Sequence, residues 1–394
     1  MEVYMGYKCR IYPNKTQEIH IKKSFGCSRF IYNRFLQLKT EMWEEEEKSI
    51  GRFEMGKMVT QLKKEPDFSW LSEVNASVLH NAVQDLDNGF KAFFRRVKRG
   101  EKPGYPKFKS RGQKQSFRIS NVNNPSGPLI YLKEGKIRLP KMGYIKQRGL
   151  QSFDGEIMSV TISQTPTGKY YASLLVREKL EVKSNNGNHI GLALNIDNIY
   201  TDSNGRTVQM PEPIKKYKEK EKFYAREFSR KEKGSHGYEY ARKKLAKGYE
   251  LRSNVMNDLL HKESRKLVEE NEFIAICEYP IMEMMREKSK DASRLQNISW
   301  YKFITLLEYK AYQHGSIVKV LPKDYMYIQI CPNCGHEDNS KKDLKLKEWI
   351  CPQCGAVSEF HKNMAESILK KAEIMLKEQE ETKSKEAKNE KEEM

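Results

Sequence analysis

Apolar residues recur at helical spacing twice in the N-terminal third of the chain. Ile31, Phe35, Leu38 and Met42 follow the first pattern. The second and stricter pattern consists of Leu79, Val83, Leu86, Phe90, Phe93 and Val97. Steps of three or four residues place side chains on one face of an α-helix. We therefore predict two helices whose apolar faces belong to a core.

Short β-rich runs separated by Gly and Pro turns follow over residues 105–180. Ile157–Ser163 and Tyr170–Arg177 are the clearest of these runs. The alternation predicts a small barrel or sandwich. Ser184–Asn188 has the composition of a linker.

The pattern beyond this linker is typical of a mixed α/β fold. The predicted strands are His189–Ile196, Phe273–Glu278 and Ile317–Leu321. The predicted helices are the highly charged stretch Lys215–Asn271 and one marked by Trp300, Ile304, Leu307 and Ala311. Asn204-Gly205 indicates a hairpin turn. After Leu376 almost every residue is Lys or Glu, which predicts a solvated or frayed helix with no core of its own.

Positive charge narrows the class of partner. The 394 residues contain 72 Lys and Arg against 53 acids, for a formal net charge of +19. Such a surplus suits a polyanion such as nucleic acid, with anionic membrane or an acidic protein as the alternatives. The N-terminus lacks the apolar core of a signal peptide, and no apolar run approaches the roughly 18 residues of a membrane span. We expect a nucleic-acid partner, no membrane and a cytoplasmic location.

The charge is concentrated between Lys91 and Arg118. This stretch holds eleven Lys or Arg and a single acid, Glu101. The aromatic residues among them are Phe93, Phe94, Tyr105, Phe108 and Phe117. Interleaved cations and aromatics suit a groove that follows phosphates and stacks on bases, although a charge run can also be only a solvated face. We predict contact with nucleic acid here.

Four of the seven cysteines form two Cys-x-x-Cys pairs, Cys331/Cys334 and Cys351/Cys354, with sixteen residues between the pairs. Glycine follows each pair, as a tight metal knuckle prefers. The spacing predicts a structural zinc site, because four thiolates close a tetrahedral shell. A redox dithiol or unrelated free thiols are the alternatives. Cys9, Cys27 and Cys277 are scattered and do not suggest a disulfide framework.

Several stretches in order resemble the TnpB (OrfB) proteins of insertion sequences, compact relatives of type V CRISPR effectors. The resemblance covers roughly residues 5–370. Its motifs are Tyr7–Pro13, Phe25–Asn33, Gly104-Tyr105-Pro106-Lys107-Phe108-Lys109, Lys243–Ala246, Leu307–Ala311 and the cysteine pairs. Together these motifs are far more specific than any one alone.

The resemblance implies a multidomain α+β architecture and a role in RNA-guided DNA binding. A split β-barrel wedge domain would comprise residues 1–12 and 105–183, and a helical recognition domain residues 13–104. A RuvC domain of RNase H-like α/β fold would comprise residues 189–330 and 355–376. The inserted zinc ribbon with its four cysteines would span residues 331–354, and a charged tail residues 377–394.

The family's RuvC domain uses an Asp, a Glu and a second Asp to hold two metal ions for DNA cleavage. By this resemblance Ala193 stands at the first aspartate, Glu278 at the glutamate and His361 at the second aspartate. Magnesium prefers oxygen ligands. We therefore predict a degenerate site with no intact catalytic set, no catalytic Mg²⁺ and no enzymatic activity; Glu278 would be a leftover acid, paired with a lysine.

The sequence does not place a neighbouring acid where it could replace the missing metal ligands. Asp197 would lie about 13 Å beyond Ala193 on an extended strand. Glu359 precedes His361 by two residues, which on a helix is the wrong face.

The favoured hypothesis is a nuclease-dead, RNA-guided repressor that occupies its DNA target. Its partners would be a guide RNA and double-stranded target DNA with a short flanking motif, and in a bacterium it would lie on the nucleoid when bound. The alternatives are an RNA-guided endonuclease with a rearranged metal site and a transposon accessory that binds DNA without a guide.

Candidate contact residues follow from the same resemblance and from the basic run. Ser77, His80 and Asn81 are candidates for reading the flanking motif, since Asn pairs well with adenine; the alternative is an ordinary helix start capped by Asn75 or Ser77. The candidates for RNA or DNA backbone contacts are Lys8, Arg10, Arg29, Arg95, Arg96, Lys98, Arg99, Tyr105, Lys107, Lys109, Arg111 and Arg118.

Overall fold

Two units, residues 1–180 and 181–394, make up the chain in a computed structural model. The structure describes residues 2–112, 114–121, 123–124, 127–180, 187–287, 292, 295 and 298–392, with side chains of residues 123, 124, 287 and 380–392 left aside. Residues 184–186 of the predicted linker lie outside this range.

The first unit contains nine described strands: β1 (Glu2–Tyr12), β2 (Gln115–Ser120), β3 (Asn123–Asn124), β4 (Gly127–Pro128), β5 (Tyr131–Lys133), β6 (Lys136–Leu139), β7 (Gly143–Arg148), β8 (Gly155–Gln164) and β9 (Tyr170–Lys179). Seven of them form an antiparallel sheet in the order β2-β8-β9-β1-β7-β6-β5. Among the described strands, β2 and β5 do not pair, so the sheet is an open half-barrel. The predicted runs at 157–163 and 170–177 are β8 and β9.

Three helices complete this unit: α1 (Lys15–Glu46), α2 (Arg52–Leu62) and α3 (Ala76–Lys98), with a 3₁₀ helix at Pro66–Glu73. Helix α1 begins at a capping box, in which Asn14 and Gln17 exchange side-chain and backbone hydrogen bonds. The two predicted helices correspond to α1 and α3, but Val97 at the end of the α3 stripe is half exposed. Helix α2 was not predicted; it packs its Met55, Val59 and Leu62 into the helical core.

The second unit is built on a five-stranded sheet. Its strands are β10 (His189–Leu194), β11 (Tyr200–Asp202), β12 (Thr207–Val208), β13 (Phe273–Cys277) and β14 (Ile317–Leu321), in the order β12-β11-β10-β13-β14. β10, β13 and β14 are parallel, and β10, β11 and β12 are antiparallel. The predicted hairpin joins β11 to β12, with Gly205 at φ +87°. The strand predicted at residues 189–196 is β10, which ends at Leu194, two residues before the predicted end.

The remaining described elements are α4 (Glu212–Arg230), α5 (His236–Glu270), α6 (Ile281–Glu287), α7 (Trp300–His314), α8 (Phe360–Glu392), β15 (Gln329–Ile330), β16 (Glu337–Asp338), β17 (Glu348–Ile350), β18 (Val357–Glu359) and a 3₁₀ helix at Lys323–Tyr325. The charged stretch 215–271 is thus two helices, because the chain breaks at Lys231–Ser235. The backbone of α8 remains helical to Glu392, through the charged tail. Within the described ranges, every helix is too short or too polar to span a membrane.

Helix α8 lies directly against β10. A Cβ added to Gly191 would lie 2.0 Å from the Ala365 carbonyl oxygen and 2.9 Å from the Leu369 Cβ. Only a residue without a side chain permits this approach. The contact fixes which face of β10 points toward α8, and therefore where Ala193, two residues further along the strand, is directed.

Candidate functional site

The four paired cysteines converge at one point. Their Sγ atoms all lie within 4.8 Å of one another, with Cys331 3.6 Å from Cys354 and Cys334 3.7 Å from Cys351. A tetrahedral zinc with Zn–S bonds of about 2.3 Å would separate the sulfurs by about 3.8 Å. The cluster could therefore hold one metal ion, and its all-thiolate donor set suits zinc.

Two matching knuckles build this cluster. The Gly335 amide donates to the Cys331 carbonyl at 3.0 Å, and the Gly355 amide to the Cys351 carbonyl at 2.9 Å. Both glycines have a positive φ, +74° and +72°, a left-handed conformation that glycine adopts without strain. Hydrogen bonds from the Ala356 backbone and the Asn333 side chain lower the pKa of Cys354 to about 6. Desolvation and hydrogen bonds with the other three thiols raise the pKa of Cys334 to about 12, so the four thiols titrate as one set.

Ala193 and Glu278 occupy the ends of neighbouring parallel strands. Ala193 is fully buried on β10, opposite Thr201, and its methyl group offers no ligand atom. Glu278 follows the last residue of β13, where its amide donates to the Leu321 carbonyl at 2.9 Å and its side chain is exposed. No ion pair of Glu278 is found among the described residues, so its pairing with a lysine stays a prediction.

His361 lies in the first turn of α8 and is buried, with 7% exposed. Its Nε2 is 3.1 Å from the Leu344 carbonyl oxygen. Because a carbonyl only accepts, Nε2 must carry the hydrogen and has no lone pair for a metal. Burial lowers the pKa of His361, while Glu359 and Asp197 act in the opposite direction. The imidazole ties α8 to the segment that precedes β17.

Both rescue geometries considered from the sequence were wrong. The chain turns after β10, because the Asn195 Oδ1 accepts from the amides of Asp197 and Asn198. Asp197 is therefore not on an extended strand, and it lies near enough to His361 to affect its pKa. Glu359 is the last residue of β18, outside the helix. Its carboxylate caps α8 by accepting from the amides of His361 and Lys362.

Among the described side chains, the four cysteines are the one set of three or more His, Cys, Asp or Glu residues whose ligand atoms lie within 4.8 Å of one another. Asp197, Glu278, Glu359 and His361 therefore do not form such a set in this arrangement.

The candidates for reading a flanking motif lie on α3, and two of them hold this helix to β2. Asn75 is the cap, accepting from the Ser77 amide at 2.9 Å. Ser77 Oγ accepts from the Ser120 amide, and Asn81 Nδ2 donates to the Arg118 carbonyl at 3.0 Å. His80 is exposed at the surface, but partial desolvation of its ring and the charge of Lys63 lower its pKa.

His80 and Asn81 also line a cleft of about 530 Å³ between α2 and α3. Its other walls include Arg52, Phe53 and Lys57 of α2, and Phe53 is 79% exposed. These residues were not predicted from the sequence, because α2 was not predicted. An exposed aromatic between two cations is the signal that could have identified them.

The structure divides the basic candidates into two groups. Lys109 and Arg118 have internal partners: the Lys109 Nζ lies 3.8 Å from the Tyr32 ring centroid, and Arg118 pairs with Asp85 at 3.0 Å. Burial lowers the pKa of Lys109.

Three further candidates contact neutral side chains. Lys8 and Arg10 of β1 stack over the rings of Tyr171 and Tyr12, respectively. Arg29 donates to the Gln115 side chain at 2.9 Å.

The exposed group lies at the end of α3 and in the irregular segment that follows. It comprises Arg95, Arg96, Lys98, Arg99, Tyr105, Lys107 and Arg111. The Tyr105 ring packs edge-on against Phe90 and Phe93, and its hydroxyl lies 3.1 Å from Thr40 Oγ1. The aromatics are thus partly used to hold this segment on α3, while the exposed cations face solvent.

Three family descriptions match separate segments of the chain. They are "Helix-turn-helix domain" of OrfB_IS605 over residues 1–48, "Probable transposase" of OrfB_IS605 over 166–287, and "Cas12f1-like, TNB domain" over 300–367. The first segment contains β1 and the single helix α1 in this structure, with no turn between two helices. The third contains the cysteine cluster.

Two curated relatives are similar along nearly the whole chain. A "Putative RNA-guided DNA endonuclease" of Streptomyces pristinaespiralis is 28% identical over 371 residues, covering 93% of this chain and 89% of the relative. The "Putative RNA-guided DNA endonuclease InsQ" of Escherichia coli (strain K12) is 26% identical over 387 residues, covering 94% and 92%. A solved Cas12f1-sgRNA-target DNA complex has a similar protein fold, with TM-score 0.56, 10% identity and coverage of 93% and 98%.

These relatives correct one prediction. Both are named as endonucleases, which points to an enzyme and overturns the expectation that the chain is not one. Ala193 and His361 are facts of the sequence, but their assignment to the positions of catalytic acids stays a prediction. The family matches confirm the resemblance to OrfB proteins that was predicted from the motifs. Separate segments of the chain therefore match OrfB_IS605 and Cas12f1-like domains, and the chain has a Cas12f-like fold.

Proposed function

We propose that this protein is guided by RNA to a specific DNA sequence and represses transcription by occupying it. Guidance is supported by the similarity, over more than nine-tenths of the chain, to proteins named RNA-guided DNA endonucleases. Repression by binding to the DNA target is supported by one local observation. The buried methyl group of Ala193 lies at the strand position where the family's first aspartate is expected.

The proposed partners are a guide RNA and double-stranded target DNA. Pairing between guide and target strand would supply sequence specificity, and protein contacts would read only a short flanking motif and the backbone. The cleft between α2 and α3 suits the flanking motif, because His80, Asn81 and Phe53 offer polar and aromatic groups there. The exposed cations from Arg95 to Arg111 suit a phosphate backbone.

The domain roles are part of the same proposal. The half-barrel would serve as the wedge domain, α1–α3 as the recognition domain and the five-stranded sheet as the RuvC-like domain. The cysteine cluster would hold a structural zinc, because four thiolates leave no open coordination position. The zinc would fix the fold of the ribbon rather than take part in chemistry.

The second candidate is an RNA-guided DNA endonuclease with a rearranged metal site. It is favoured by the names of the relatives and by the acids that lie around positions 193, 278 and 361. Asp197 and Glu359 both lie near enough to His361 to oppose the lowering of its pKa by burial, and Glu278 is exposed at the end of β13. A bound nucleic acid would have to bring these carboxylates together.

One experiment separates the two candidates. The protein is purified with its RNA, the RNA is sequenced, and a plasmid matching the free end of that RNA is incubated with the complex and Mg²⁺ or Mn²⁺. A guide-dependent complex that stays on intact plasmid, and silences a promoter containing the target, supports repression by occupancy. Guide-dependent cleavage supports the endonuclease. Co-purification of only bulk tRNA or rRNA fragments contradicts guidance and supports an unguided accessory.

A further inference from the structure

A cleft of about 670 Å³ lies within the first unit, between α1 and the 3₁₀ helix Pro66–Glu73. We call it the α1 cleft and define it by Lys23, Arg29, Phe30, Arg34, Trp70 and Glu73. The α1 residues that line it include Lys23, Cys27, Phe30, Arg34 and Gln37, at steps of three or four residues, so they share one side of the helix. Only Arg29 among them was a candidate contact on sequence grounds.

One wall of the α1 cleft is aromatic. The Phe30 ring lies 5.1 Å from Trp70 and 5.6 Å from Phe68, centroid to centroid. The indole Nε1 of Trp70 donates to the Asp67 carbonyl at 3.0 Å, which holds the ring in place. Trp70 is nevertheless 38% exposed. A fixed, partly exposed aromatic face is what a nucleobase stacks on.

The charge of the cleft is positive. It contains three cations and one carboxylate, and that carboxylate, Glu73, is paired with Lys23. Arg29 donates only to the neutral Gln115 side chain, and the Arg34 guanidinium stacks over Phe68 at 5.1 Å. Neither arginine has a carboxylate partner among the described residues. Two uncompensated guanidinium groups beside an aromatic wall suit an anion with a planar ring.

We infer that the α1 cleft binds an unpaired nucleotide, with its base against Trp70 and Phe30 and its phosphate at Arg29 and Arg34. The volume is within the range of small-molecule sites, about 300–1,000 Å³, and would accept one or two nucleotides. This inference deepens the proposed function: the nucleotide would come from a single-stranded part of the guide RNA or from displaced target DNA. A base inside a duplex cannot reach the wall, since both of its faces are stacked.

The test uses the full-length protein after its bound nucleic acid has been removed at high salt. Oligouridine, oligothymidine and a duplex of mixed sequence are titrated while tryptophan fluorescence is recorded. Stacking on Trp70 should quench part of the emission. Trp70→Phe should abolish that part but keep most of the affinity, and Trp70→Ala should weaken single-strand binding about tenfold. Trp43→Ala is the matched control, because Trp43 is an exposed tryptophan on α1 that does not line the cleft.

Arg34→Gln tests the phosphate contact independently of the aromatic wall. It should weaken binding about three- to fivefold and reduce the salt dependence by about one charge. Lys22→Ala removes a neighbouring exposed cation and should leave affinity unchanged. Preference for oligouridine would assign the cleft to the guide RNA, and preference for oligothymidine to displaced DNA.

Equal binding of the duplex, or unchanged single-strand affinity in Trp70→Ala and Arg34→Gln, would overturn the inference. So would equal quenching by an oligoglutamate peptide, which has the charge but no base. Thermal unfolding of each variant identifies any loss of affinity that comes from misfolding. Failure here would leave guide-dependent target binding, measured with the sequenced RNA, as a separate result.

Discussion

The Nε2 atom of His361 lies 3.1 Å from the Leu344 carbonyl oxygen, inside the second unit. This hydrogen bond connects the first turn of α8 to the segment that precedes β17. The family resemblance assigns position 361 to a metal-binding acid, whereas the structure shows a buried donor that stabilises the junction of helix and ribbon. An acid at position 361 would therefore add a possible metal ligand but remove this hydrogen bond.

We expect His361→Asp to destabilise the second unit by about 2 kcal/mol or more. The substitution leaves the Leu344 carbonyl without a donor and buries a carboxylate beside Glu359 and Asp197. His361→Gln keeps an N–H that can reach the carbonyl and should cost distinctly less. The measurement is denaturant unfolding of both variants beside the unsubstituted protein. Equal stability of the Asp and Gln variants would show that the hydrogen bond contributes nothing.

Acidic pH should weaken the same junction. Burial lowers the pKa of His361 below its ordinary value of about 6.5, more than Glu359 and Asp197 raise it. The unfolded chain therefore binds a proton more readily than the folded one, so stability is fully present above about pH 6.5 and is lost as pH falls through the folded pKa. We expect the pH dependence of the free energy of unfolding below about pH 6.5 to be smaller in His361→Gln. An unchanged slope in that variant would exclude His361 as its source.

Sequence periodicity located the long elements but not the local geometry around positions 193, 278 and 361. The strict stripe from Leu79 to Phe90 predicted α3, because one apolar face is enough to define a helix. Helix α2 was missed because it buries only Met55, Val59 and Leu62, with Gly56 between them. A short helix of that kind is stabilised mainly by the helices it packs against.

The neighbourhood of position 361 depends on contacts that no local pattern encodes. Leu344 is seventeen residues from His361 along the chain, and Asp197 belongs to another strand end. The turn made by Asn195 also changes the direction of the chain two residues after Ala193. By contrast, the cysteine cluster was predictable, since two short knuckles fix the ligand geometry locally.

Removing the proposed zinc should destabilise the ribbon strongly. We expect about one zinc per chain by elemental analysis, and loss of that zinc in Cys351→Ser, because three thiolates bind it far more weakly than four. Structural zinc sites contribute about 10–16 kcal/mol of binding free energy in small domains, so metal loss should lower the melting temperature. Cys27→Ser, outside the cluster, is the control and should retain the metal. Full zinc content in Cys351→Ser would contradict the four-cysteine site.

Gly191→Ala should destabilise the second unit by about 3 kcal/mol. The added Cβ would meet the Ala365 carbonyl oxygen at 2.0 Å, and neither the β10 backbone nor the α8 backbone can yield without disturbing the sheet. Gly6→Ala is the matched control: it also lies in a strand, nothing lies within 4 Å of its added Cβ, and its effect should stay within about 0.5 kcal/mol. The comparison is made by denaturant unfolding of the full chain. Equal losses of unfolding free energy in the two variants would show that α8 does not pack against β10 as closely as 2.0 Å implies. In that case the structure would no longer support the direction given for the Ala193 side chain.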